Sequence, residues 1–388
     1  MKPLLFSLGA IVAGLVSISS AQAADPTIAW DGRRLTLTDA ELPAEVTLAA
    51  QAWATFVEEY DYAMTLVDDG RLLLISEGGR STTERQVELI ERTMALFERD
   101  LPTPPPSSAR SDGKEGKGGR PADDEIPEDP EGPPPGWEPP SQDAPIETYA
   151  WGAGTTVPDT QTIVFLILKD EDHYRATLDV LAGVAEYLAE WSQAARSDLG
   201  YVLEEPLAGA YVLNASGQEE WNPDNELVNR IARLCLLRRF GQQPNWLVQG
   251  YAWHAEFEIQ GAVYVFPHRN EFVSVGEHTD WDKEIERRFA EDTPDLRDLT
   301  GWSRGTYDAE ASRFAWGLVD WALRAHPRKL SLVLDDLRRF RDEDNRIETS
   351  DSTWTRDRDY KMSGSKQRSM LQERLGKSFL RDFAKSLR

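Results

Sequence analysis

The chain has 388 residues, 40% of them apolar, enough to bury the core of one large domain or two ordinary ones. Its formal net charge of -24 and isoelectric point near 4.7 argue against nucleic acid and anionic membrane surfaces as partners. Affinity for either comes largely from Lys and Arg set against phosphates. With a single cysteine, Cys235, no internal disulfide can form, and its place in the apolar run ARLCLLRR predicts a buried structural thiol.

Residues 1–23, MKPLLFSLGAIVAGLVSISSAQA, read as a cleaved secretory signal. Lys2 supplies the positive start, Leu4 to Val16 the apolar core, and Ala21-Gln22-Ala23 the small-residue cleavage site. That apolar run is shorter than the roughly 20 residues a membrane span requires. A secreted or periplasmic location follows as the expectation, with no span left after cleavage.

Residues 24–101 predict a helix over PAEVTLAAQAWATFVEEY and then two short strands on either side of Asp69-Gly70, a hairpin signal. A second helix follows over STTERQVELIERTMALFERDL, where Val87, Ile90, Met94 and Phe97 recur at helical spacing and Ser81 or Thr82 can cap the start. Residues 102–146 are Pro, Gly and charge with almost nothing apolar, a composition expected to be disordered. Beyond them QTIVFLILKD is a continuous β-branched and aliphatic run, the pattern of a strand covered on both faces. Strand, helix and strand then form one crossover unit, so 102–146 is read as an insertion inside a single domain.

Residues 147–388 carry the rest. DEDHYRATLDVLAGVAEYLAEW predicts helix, LAGAYVLN a short strand, and the remainder is mostly helical, with apolar residues at three and four spacing in EASRFAWGLVDWALRAH, RKLSLVLDDLRRFRDE and FLRDFAKSL. The class is α+β with a helical C-terminal half.

The helix over 223–240 is well marked. Asn222 is a good N-cap, Pro223 suits the first helical position, and Gly241 can close the end in a left-handed conformation. Within it DNELVNR has the form of H-E-x-x-H with both histidines replaced by asparagine. In that motif two ligands four residues apart lie roughly 40° from each other round the helix and reach one metal. The Glu after the first ligand activates the metal-bound water. Asn225 and Asn229 occupy the ligand positions here and Glu226 the base position.

The next segment, PNWLVQGYAWHAEF, resembles the gluzincin metallopeptidases, in particular the peptidase-MA-like group. There a P-x-W-L-x-E-G segment follows the zinc helix and its Glu is the third ligand. Pro244, Trp246, Leu247 and Gly250 match that form, and the ligand position carries Gln249, 20 residues beyond Asn229. The likeness spans roughly residues 60–101 and 160–386. It implies a zincin-like fold with a small mixed sheet, an active-site helix and a helical C-terminal half. It also places Tyr307 where some relatives present a transition-state donor.

The three ligand positions carry carboxamides, and zinc sites use Cys, His, Asp or Glu. Zinc is therefore expected to be lost and no cofactor to replace it. His173, His268, His278 and His326 have no ligand spacing, and His254 and Glu256 are placed off the ligand set by rotation and by distance along the helix. The expectation is a pseudopeptidase that binds a peptide, protein or cell-wall ligand through its residual cleft. Trp221, Trp246 and Trp253 are either cleft walls or helix core. Two alternatives stand beside it: a remodelled metallopeptidase, and a carboxylate hydrolase using Glu226 with a second acid.

Overall fold

The computed structural model describes residues 26–77, 80–104, 161–184, 186–215, 221–263, 280–291, 295–302, 309–344, 346–350, 353–356 and 361–387, without the side chains at 80–82, 186, 291, 342–344, 346–350 and 353–356. The signal segment, nearly all of the 102–146 insertion, His268, His278 and Tyr307 lie outside what is described; Ser81 and Thr82, read as caps, instead stand inside a helix that already begins at Arg80.

Seven strands form one mixed sheet: β1 (Thr27–Trp30), β2 (Arg33–Thr36), β3 (Tyr62–Val67), β4 (Leu72–Glu77), β5 (Ile163–Leu168), β6 (Gly200–Leu203) and β7 (Ala208–Val212). Their order is β2-β1-β3-β4-β5-β7-β6. Strands β4, β5 and β7 run parallel, and antiparallel partners close both edges. A separate two-stranded ladder joins β8 (Arg346–Ser350) to β9 (Thr353–Arg356). Because β4 and β5 are hydrogen-bonded neighbours, the segments on both sides of residues 105–160 belong to the same sheet.

Strand β5 explains why its sequence does not alternate. Ile163, Phe165 and Ile167 enter one core layer while Val164, Leu166 and Leu168 enter the other. Side chains of a strand point alternately to opposite faces, so a strand covered on both must be apolar throughout. One layer is built by α1 (Ala44–Tyr60), α3 (Glu171–Ala182) and α4 (Glu186–Ala195). The other holds α2 (Arg80–Asp100), α5 (Pro223–Phe240) and α6 (Asn245–Gln260). To it are added α7 (Trp281–Glu291), α8 (Arg297–Thr300), α9 (Ala309–Ala325), α10 (Lys329–Asp344), α11 (Gly364–Leu375) and α12 (Phe379–Ser386). The fold is thus mixed α and β, with a C-terminal half dominated by helix.

Several details differ from the sequence reading. The hairpin after β3 is a four-residue connection, 68–71, in which Asp68, Asp69 and Gly70 all adopt positive φ. Aspartate tolerates that region because its short side chain bonds locally. The single helix expected over 170–191 breaks at Gly183 into α3 and α4. Strands β1, β2 and β6, each four residues long, give too short a period to read in sequence, and the sheet is larger than expected.

The caps of α5 follow the reading at one end and depart from it at the other. Asn222 accepts from the backbone N–H groups of Asp224 and Asn225. Gly241 closes the helix with φ 60 but ψ -163, a positive-φ conformation outside the left-handed helical basin. It still caps, donating its N–H to Leu237 O at 2.8 Å.

Gly250 has a packing reason. A Cβ built there would come 2.6 Å from Ala315 O and 2.9 Å from a Val319 methyl, both on α9. Helices α6 and α9 therefore pack with backbone against backbone at this position. Gly250→Ala is expected to lower stability by about 1–3 kcal/mol through overpacking. Urea unfolding checks it, and a midpoint equal to wild type would show that the helices move apart freely.

Candidate functional site

Asn225 and Asn229 lie one turn apart on α5 and face α6, which folds back on α5 through the short connection 241–244. Between them stands Glu256 of α6. Asn225 Nδ2 donates to Glu256 Oε2 at 2.8 Å and to Ala262 O at 2.8 Å, and Asn229 Nδ2 donates to Glu256 Oε1 at 2.7 Å. Each oxygen of the carboxylate is thus met by one amide. A carboxylate only accepts hydrogen bonds, so both amides must turn their N–H groups toward it. Asn229 and Glu256 have no solvent exposure and Asn225 almost none.

Glu256, not Gln249, is therefore the α6 residue that meets the two asparagines. Gln249 is buried seven residues earlier, roughly 10 Å along the helix axis at 1.5 Å per residue. Hairpin register decides this. Asn229 lies 11 residues before the end of α5 (240 − 229), and Glu256 lies 11 after the start of α6 (256 − 245). In a helical hairpin, residues equally far from the turn face each other. The signal for Glu256 was present in the helix ends, Gly241 and Pro244, but the motif spacing drew attention to Gln249 instead.

The cluster does not suit zinc. Its donors are two carboxamides and one carboxylate, where zinc sites use Cys, His, Asp or Glu. The amide nitrogens already fill the two sides of the carboxylate at hydrogen-bond distance. Among the described residues Asn229 Oδ1 has no hydrogen-bond partner.

Glu226 turns to a different neighbour. It is 1% exposed, and its Oε2 receives Arg230 Nη2 at 2.7 Å and Arg230 Nε at 3.0 Å. It forms an ion pair one turn along the same helix and meets neither Asn229 nor Gln249 in a described hydrogen bond. Burial raises the carboxyl above its ordinary range, against the opposing pull of Arg230 and Arg233. With no solvent access and both fork nitrogens on one oxygen, Glu226 is placed as a structural anion.

The tryptophans resolve into core and margin. Trp253 is fully buried, stacked on Trp302 with ring centroids 6.0 Å apart and edge-on to Trp281 at 5.4 Å. Trp246 is buried too, its Nε1 donating to Gln367 Oε1 at 3.0 Å. Neither walls a cleft. Trp221 is half-buried and donates to Val212 O at 2.9 Å, tying the approach to α5 onto the end of β7. Cys235 is buried, and desolvation pushes its thiol up to about 12, so it is no nucleophile.

The described histidines outside this cluster have structural partners. His173 pairs its Nδ1 with Tyr62 Oη at 3.1 Å, and His326 lies edge-on to Trp321. His254 stands apart: its two ring nitrogens lie 3.0 Å from Asp320 Oδ1 and 3.1 Å from Asp100 Oδ2. With Glu258 and Asp320 it forms a group whose ligand atoms lie within 4.8 Å of one another. Arg324 already bridges that group, with Nε 3.0 Å from Asp320 and Nη2 3.3 Å from Glu258. The guanidinium supplies the positive charge those oxygens need.

A surface groove of about 600 Å³ runs between the outer strands and α2, with Thr65 and Arg34 on the strand side and Val87, Glu88 and Glu91 on the helix side. Asn225, Asn229 and Glu256 do not line it, and of these helix residues Val87 also packs against the core that holds Ile90, Met94 and Phe97. The groove is thus separate from the Asn–Glu cluster. No described helix is long and apolar enough to cross a membrane.

No protein-family model matches the chain, and no curated protein sequence matches it.

The Glu226–Arg230 pair yields a test of the burial argument. Arg230→Ala would strand a carboxylate in the core and is expected to destabilise by about 3–5 kcal/mol. The double change Glu226→Gln with Arg230→Met should recover most of that loss. Urea denaturation of the three proteins decides it. A loss under about 1 kcal/mol for Arg230→Ala would mean that Glu226 is solvated or otherwise neutralised.

Proposed function

We propose that the chain is an exported, peptidase-like protein that binds without cleaving: a pseudopeptidase of zincin-like design. One observation carries the reading. Two residues at i and i+4 on a buried helix, and a carboxylate from the helix that folds back on it, converge on a single point. That is the geometry by which an H-E-x-x-H helix and an acidic partner surround a metal. Here amide N–H groups stand where the cation would be, and they satisfy the carboxylate oxygens by hydrogen bonding.

Two further features support it. The residue after the first asparagine is a glutamate, as the motif requires, yet it is locked to Arg230 and withdrawn from solvent. Asn229 leaves its carbonyl oxygen without a partner in the core, which a residue selected for packing alone would avoid. Because the cluster is closed among the described residues, the binding role falls to surfaces around it. The ligand class that fits an exported peptidase-like chain is a peptide, a protein or a cell-wall component, with no nucleic acid and no cofactor.

The register of the hairpin makes the test sharper than the motif alone would. Asn225→His with Asn229→His, leaving Gln249 unchanged, should create a site that takes about one zinc per chain with Glu256 as third ligand. Adding Glu256→Ala should abolish it, whereas adding Gln249→Ala should leave it intact. Metal analysis of the dialysed proteins reads all four. Absence of zinc in the double variant would remove the geometric basis of the proposal. Stoichiometric zinc in the wild type, together with chelator-sensitive cleavage of unfolded casein, would replace it with an active enzyme.

A further inference from the structure

We propose that His254 is a proton-operated clasp that joins α2, α6 and α9 while both of its ring nitrogens carry hydrogen, and that loss of one proton frees the α9 joint. The geometry points to this directly. Asp100, the last residue of α2, and Asp320 of α9 approach opposite nitrogens of one imidazole, at 3.1 and 3.0 Å. Carboxylates only accept, so both contacts are satisfied together only by the doubly protonated ring. A neutral imidazole has one N–H and must leave one carboxylate facing a lone pair.

The charges around the ring balance in the closed form. Asp100, Glu258 and Asp320 supply three negative groups, and Arg99, Arg324 and protonated His254 supply three positive ones. Arg99 and Arg324 are largely exposed, so solvent screens them, while His254 is 2% exposed. Tyr251 is the remaining titratable neighbour on α6, its ring 6.0 Å away, with Cys235 and Arg239 of α5 beyond it. Arg324, on α9 beside Asp320, also meets Asp320 at 3.0 Å and Glu258 at 3.3 Å, an exposed contact that remains when the ring loses its proton. Asp320 is the more exposed of the two carboxylates and is the one that rehydrates when the clasp opens.

The direction of the response follows. Burial alone would lower the imidazole, but the hydrogen bonds to Asp100 and Asp320 outweigh it and hold its affinity for the proton above the ordinary histidine range. A group raised on folding stabilises the fold fully below its unfolded value, near 6.5, and that contribution is lost as pH rises through the folded value. The clasp is therefore closed in mildly acidic solution and opens toward alkaline pH. A resident metal would be an alternative occupant of the same atoms, and the test separates the two.

Hydrogen exchange of the full-length protein from pH 5 to pH 9, corrected for intrinsic rates, reads the joint at 309–325. Protection there is expected to fall by about tenfold to a hundredfold across the titration, the equivalent of one charge-assisted hydrogen bond. His254→Gln should show the low protection at every pH with no step, and Asp320→Asn should move the step to lower pH. A wild-type profile without a step, or the same step in His254→Gln, overturns the proposal. If His254→Gln does not fold, the ring's own NMR titration decides, and a midpoint at or below the ordinary histidine range overturns it. Restoration of protection at high pH by zinc or manganese, lost on changing His254, would make the cluster a metal site and also overturn it.

Discussion

A carboxylate with no access to water has to be met by donors, and in this molecule that requirement falls on Glu256. Its two oxygens are taken by Asn225 and Asn229 of the neighbouring helix. Removing an ionised carboxyl from water is costly unless it is hydrogen-bonded on all sides. The three residues therefore fix one another. They set the register of α5 against α6, and α5 in turn lies against α2 and the floor of the sheet in the same core layer. A slip of one turn in the hairpin would take the carboxylate away from one of the two amides that now hold it.

Helix α6 shows how complete the burial is. Residues 246–256 are buried without a break, so no polar face exists for an amphipathic stripe. Its ionisable side chains at 254 and 256 are each met by polar partners. Glu256 faces α5. His254 is two residues earlier, about 200° round the helix, and faces α2 and α9 instead. Gly250 lets α9 approach to backbone distance, and the ring of Trp253 fills the space toward Trp281 and Trp302. Four helices thus take their positions from one central helix, through a close backbone contact, a ring cluster and two polar contacts.

The reading of the site depends on separating pattern from position. The DNELVNR stretch has the spacing of a metal-binding helix, and its asparagines do project together, because i and i+4 share a face. The carboxylate that completes the arrangement comes from where the two helices meet, not from where a linear motif would place it. Glu226, the residue that would carry chemistry, is held in an ion pair away from solvent. Both the asparagine–glutamate cluster and the Glu226 ion pair are thereby closed to solvent.

Much of the scaffold was legible in the amino-acid order. The all-apolar run at 163–168 marks a strand covered on both faces. The period of α2 and the caps Asn222 and Pro223 mark their helices because these signals act over a few residues and do not depend on neighbours distant in the chain. The pairing of Asn225 and Asn229 on one side of α5 was equally readable, since helical geometry alone imposes it. What they face was not: Glu256 lies 27 residues beyond Asn229 (256 − 229), and only the length of α5 beyond Asn229 brings it opposite. The same holds for Asp100 and Asp320 at His254, 154 and 66 residues away in the chain. Local rules state which direction a side chain leaves its helix; the identity of the group it meets is settled by packing, because burial forces each charged or polar atom to accept whichever partner the folded layers bring within reach.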